Sequence, residues 1–190
     1  MTKTNGQNRT RHRQQRRAAY HEAGHVVVRS VVGLVACPVE IHADGSGIAH
    51  GTGLKREVDR YGAESLILMS LAGPIAEARA AHCSLFEVWL GGGTTDIAEA
   101  TQLLARVTAS KQRVRELMYD SMLRSPDVAP EIKLAAEQSL TAPHEDLDHY
   151  NDWSSQLVRE YWPAIERVAR ALLRTPRLEA AEVRDLVGAA

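Results

Sequence analysis

The stretch that decides how this chain reads is "AAYHEAGHVVV", residues 18–28. It sets His21, Glu22 and His25 inside an apolar run. From residue 16 to residue 32 there is no proline and only one glycine, Gly24. A helix is therefore predicted here, ending near Gly33, a usual stop signal. On a helix, residues four apart lie on one face a turn from each other. His21 and His25 can then aim two imidazole nitrogens at one point, and Zn²⁺ accepts such nitrogens at about 2.0–2.1 Å. Glu22 stands beside that point rather than on it. There a carboxylate can take the proton of an attacking water. The plainer alternative is a helix carrying two structural histidines, but the flanking "VVV" and the small Ala23 and Gly24 suit a buried active-site helix.

Two histidines leave a catalytic zinc one protein ligand short. The metzincin pattern asks for a histidine six residues after His25, and that position is Val31. The third ligand has to come from elsewhere in the chain. The candidates are His42, His50, Glu77, Asp96 and Glu99. Asp96 follows the cluster Gly91–Gly93 near a helix start, where small residues permit close approach. Residue chemistry favours it only weakly over the other four.

Around this helix the chain is mostly α, with one small β element. "CPVEIHADGSGIAHGTG" alternates Val39, Ile41 and Ala43 with polar residues and carries turn residues at "DGSG", so a β-hairpin is predicted. Residues 57–82 return to helical spacing through Leu66, Met69, Ala72 and Ala76. Further helices are predicted from Thr94 or Thr95 onward and over 111–124, 131–141, 146–173 and 179–187. Pro126, Pro130, Pro143 and Pro176 fall between these segments, and Pro163 kinks or begins a helix within the fourth. No internal repeat is visible.

The composition fits one soluble domain. The chain has 190 residues, 44% apolar and 25% charged, with a single Phe, so Leu, Val, Ile and Ala must build the core. Residues 1–17 carry six basic residues and no acid, with almost nothing apolar, and are expected to be a disordered basic tail. The net charge of −1 gives no bias towards nucleic acid, and no aromatic or nucleic-acid motif accompanies the tail. The longest apolar run, broken at Arg29, is too short to span a membrane, and no signal region follows the N-terminus. A soluble, cytoplasmic protein is expected. Cys37 and Cys83 are in no metal-like pair and read as free thiols.

Three stretches in order, "AAYHEAGHVVV", "LAGPIAEA" and "GGGTTDIAEATQLLAR", resemble the zinc peptidase domain of FtsH-type AAA+ proteases. The ending "IERVARALLRTPRLEAAEVRDLV" also resembles the close of that domain. The likeness runs over residues 18–187 and is faint from about 111 to 155. It implies zinc held by His21, His25 and Asp96, with Glu22 as catalytic base. Glu77 and Glu99 are then expected to be dispensable. It also implies polypeptide substrates and a hexameric ring.

The departures matter as much. The chain has no phosphate-binding loop with a following Lys-Thr or Lys-Ser. Pro74 stands where the family usually has arginine. The expectation is a stand-alone, ATP-independent zinc endopeptidase acting on flexible or unfolded polypeptides, or one supplied by a separate ATPase. The rival expectation is a catalytically inactive metal-binding interaction protein of the same fold.

Overall fold

The computed structural model describes residues 3–51, 60–124, 131 and 146–188. The architecture is mostly helical, with a small three-stranded antiparallel sheet. In chain order it runs α1 (Lys3–Val31), β1 (Val39–Ile41), β2 (Gly47–Ala49), α2 (Arg60–Ala81), α3 (Leu85–Trp89), α4 (Thr94–Arg124), α5 (Leu147–Glu160), α6 (Trp162–Arg174), β3 (Arg177–Leu178) and α7 (Ala180–Gly188). All but the first residue of the helix expected over 131–141, and the prolines at 126, 130 and 143, lie outside the described residues.

Helix α1 is the axis of the fold. It packs most extensively on α2 and next on α6, and it also touches both strands of the hairpin. Ala19, Ala23, Val27 and Val28 are wholly buried along it. Its closest approach is to α2. A β-carbon on Gly24 would lie 2.5 Å from the Ala72 carbonyl oxygen and 2.8 Å from the Ala76 methyl. On another side Tyr20 stacks on Trp162 with ring centroids 5.5 Å apart, and the Arg79 guanidinium lies 4.3 Å over the same indole. Ser154 of α5 donates to the Leu68 carbonyl at 3.0 Å and ties that helix to α2.

The helix ends as glycine demands. Gly33 adopts φ +82°, and the Leu34 N–H returns to the Arg29 carbonyl at 3.0 Å, closing the last turn. The start of α1 differs from expectation. The basic segment is helical from Lys3, not a disordered tail ending at residue 17. Arg, Lys and Gln are good helix formers, and the long α1 core nucleates helix that this segment only has to extend. It also finds partners, since Arg11 Nε donates to the Ala43 carbonyl at 3.0 Å.

The hairpin forms around Asp44, whose Oδ1 accepts from the Ser46 N–H at 2.9 Å, with Gly45 at φ +88°. Strand β1 pairs Val39 with Ala49 and Ile41 with Gly47 on one side, and Val39 with Leu178 on the other. The order β2-β1-β3 leaves β2 at an edge.

Two further differences have local causes, while one expectation holds. Residues 94–124 form one helix rather than two, because no Gly or Pro interrupts them. The segment 146–173 divides at Tyr161, and Pro163 begins a helix there as expected, sitting in the first turn of α6. The short α3 carries a capping box, with Ser84 and Glu87 each bonding the other's backbone N–H.

The contact at Gly24 is testable. Gly24→Val forces β-branched bulk against the α2 backbone and should lower stability by about 1–3 kcal/mol, as overpacking does. Urea unfolding checks this; an unchanged midpoint would mean that α1 and α2 do not meet there.

Candidate metal centre

One face of α1 repeats every four residues as Arg17, His21, His25 and Arg29. The two imidazoles converge, with Nε2 atoms 3.1 Å apart. Asp96, in the first turn of α4, closes a triangle. Its Oδ2 is 3.1 Å from His21 Nε2 and its Oδ1 is 3.4 Å from His25 Nε2. Two ligand atoms on a tetrahedral cation, each bonded at about 2.0–2.1 Å, stand about 3.3 Å apart. The Nε2–Nε2 distance and the shortest approach of each ring to a carboxylate oxygen are close to that separation, and one ligand atom from each residue can be taken with all three within 4.8 Å of one another. His21, His25 and Asp96 form a group that can hold a metal ion.

The outer nitrogens are equally well held. His25 Nδ1 lies 2.8 Å from the Met69 carbonyl, which can only accept, so Nδ1 carries the hydrogen and the neutral ring offers its Nε2 lone pair inward. His21 Nδ1 lies 2.9 Å from Glu77 Oε2 and is oriented the same way. Glu77 in turn accepts from Arg17 Nε at 2.7 Å. The His25 ring fits only because residue 73 is glycine. A β-carbon there would lie 2.3 Å from its Nε2.

Charge balances across the group. Burial raises the Asp96 carboxyl, but hydrogen bonds and charge from His21 and His25 outweigh it and hold the group well below the carboxylate range. Glu77 is held low in the same way, its burial outweighed by His21 and Arg17. Burial lowers His21, yet Asp96, Glu77 and the charge of Glu22 more than reverse this and raise its pKa. A field that draws a proton also draws a divalent cation, and the two compete for the same lone pairs.

Glu22 lies on the neighbouring face of α1 and is 6% exposed. Burial pushes its pKa above the ordinary value, against the charges of His25 and His21 and a hydrogen bond from the Ala49 N–H. Strand β2 crosses directly over it. A β-carbon on Gly47 would lie 2.6 Å from Glu22 Cγ. The resulting cleft, of about 840 Å³, is walled by α1, β2 and the start of α4.

The other candidate ligands lie apart from the triangle. His50 and His42 point at Glu40, 3.1 Å and 3.9 Å away, on the partly exposed hairpin. Glu99 is exposed on the cleft wall. Glu77 is buried and lies against His21 from outside the triangle, a contact that bears on the expectation that it is dispensable and makes Glu77→Gln the variant to measure. The four-residue repeat from Arg17 to Arg29 was the available signal for the basic residues on this face. Nothing in the sequence signals that the Met69 carbonyl or Gly73 meets His25. No family model and no curated protein sequence matches the chain.

These contacts rank three substitutions. Asp96→Ala should lose nearly all metal affinity, and Glu77→Gln should weaken it by roughly 10–100-fold through His21. Glu99→Gln should leave it unchanged. Competition with a chromogenic chelator measures all three, and wild-type affinity in Asp96→Ala would remove that residue from the ligand set.

Proposed function

We propose that this protein is a zinc-dependent peptidase acting on flexible or unfolded polypeptides. The observation that carries the reading is the pairing of a three-donor group with a buried carboxylate, Glu22, that is not itself a donor in it. A structural zinc is usually closed by four protein ligands, whereas three leave a position open for water or substrate. His21, His25 and Asp96 would hold the ion. When bound, it polarises the scissile carbonyl and acidifies water in the cleft.

The remaining work falls to the chain. Glu22 takes the proton of the attacking water and can return it to the leaving amine. Its raised pKa suits this exchange better than that of an ordinary surface carboxylate. Glu77 and Arg17 keep the His21 ring in place.

Edge strand β2 supports a polypeptide substrate through main-chain pairing. The His42 N–H to Ser46 carbonyl and His50 N–H to Pro38 carbonyl bonds set the ladder alternation. By that alternation Gly47 and Ala49 face away from β1. Ala49 is already engaged: its N–H binds Glu22, and its carbonyl accepts from the Gly51 N–H at 2.8 Å. Gly47 is therefore where an incoming strand would pair.

Glu22→Gln keeps the shape of the side chain but cannot accept the proton. It should retain one metal per chain while casein cleavage falls at least 10²–10⁴-fold. Metal removal by a chelator should abolish cleavage, and added Zn²⁺ should restore it. Undiminished turnover by Glu22→Gln would sink the proposal.

A further inference from the structure

One buried cation in the cleft has no counter-charge among the described residues. Arg29 lies one turn beyond His25 on α1, is 3% exposed and lines the same cleft as the metal group. Its Nε donates to the Val35 carbonyl, and its Nη1 lies 3.5 Å from Met69 Sδ. Its Nη2 is buried without any hydrogen-bond partner, and no carboxylate of the described residues forms an ion pair with it.

A guanidinium out of water and lacking an anion is costly, and removing its charge by deprotonation is not open to arginine. The bond to Val35 explains one nitrogen only. It pins the chain just after α1; Nη1 has only the weak sulfur acceptor of Met69, and Nη2 has none. Gly51 abuts the fork on the hairpin side. A β-carbon there would lie 3.2 Å from Nη1, so the missing side chain keeps that approach open.

We propose that Arg29 is a carboxylate-recognition residue, binding an anionic group of the ligand that occupies the metal cleft. A guanidinium fork matches a carboxylate with two parallel N–H donors, and charge-assisted bonds of this kind are about twice as strong as neutral ones. Position sets the reach. One helical turn, four residues at about 1.5 Å each, separates Arg29 from His25. An extended peptide advances about 3.3 Å per residue. The carboxylate therefore belongs to a residue one or two positions from the group held at the metal. It is either a peptide's terminal carboxylate or an acidic side chain. Its use as a substrate-selecting contact rests on the peptidase reading; carboxylate binding itself does not.

The test uses binding without turnover. Metal-loaded Glu22→Gln protein is titrated with three N-acetylated tetrapeptides. One has a free C-terminus, one is its C-terminal amide, and one is the amide with glutamate at the last position. At least one acidic peptide should bind roughly tenfold or more tightly than the plain amide, and which one it is names the source of the carboxylate. Adding Arg29→Gln should erase that ratio while binding of the plain amide stays the same. A carboxylate that merely coordinates the metal would keep the ratio in Arg29→Gln, and that result overturns the proposal, as does equal binding of all three peptides.

Circular dichroism and thermal melting report whether Arg29→Gln folds. If it does not, Arg29→Lys carries the test. A lysine keeps the charge but not the fork, so the ratio should drop at least threefold; an unchanged ratio is equally fatal. Should wild-type protein cleave no peptide while the Arg29-dependent preference persists, the peptidase reading falls and this inference stands. Glu22-dependent cleavage with no preference reverses that outcome.

Discussion

The rest of the structure depends on the close approach of α1 to α2. Gly24 lets the α1 backbone come against Ala72, and Gly73 leaves the space that the His25 ring fills. At that distance the Met69 carbonyl can fix the ring's tautomer, and the Glu77 carboxylate can reach His21. A side chain at either glycine would separate the helices or displace an imidazole. The packing that buries the apolar core thus also orients the donor atoms.

The site is also an arrangement of charges along one helix face. Arg17 is neutralised by Glu77, and the two imidazoles meet Asp96. Arg29 alone is left without an acid among the described residues. Buried charges persist when they are paired, when they bind metal, or when a ligand completes them. The first condition accounts for Arg17, and the second is open to His21 and His25. Arg29 meets neither, and its unpartnered Nη2 is the ground for proposing that a ligand completes it.

Strand β2 joins the two halves of this picture. It is only three residues long and is paired on one side, yet its backbone lies over Glu22 and its outer edge borders the cleft. Glu22 accepts the Ala49 N–H, so the carboxylate at the centre of the proposed chemistry also holds the strand in place. That hydrogen bond lowers the carboxyl's pKa, while burial raises it further.

Much of this was legible in residue order. The helix through His21 and His25, its stop at Gly33 and the hairpin at Asp44–Ser46 follow from local periodicity and turn chemistry, which act over a few residues. So does the mostly helical class. Boundaries were less legible. A basic segment with no apolar face reads as tail, although helix already nucleated in α1 extends through it. A two-residue strand, Arg177–Leu178, gives no periodicity to read and exists only because β1 offers it a partner. The site divides along the same line. The spacing of His21, Glu22 and His25 is a property of one helix and is visible in sequence. Which of five candidates would approach the two histidines depended on how α4 packs after the Gly91–Gly93 cluster, and residue chemistry favoured Asp96 only weakly. That Glu77 supports a ring, that Gly73 makes room for another, and that Arg29 is buried without an acid were decided by contacts between residues more than forty positions apart, or by the absence of one. Local sequence specifies the elements and the donors they carry; only tertiary packing decides which donors face each other and which charges are left unpaired.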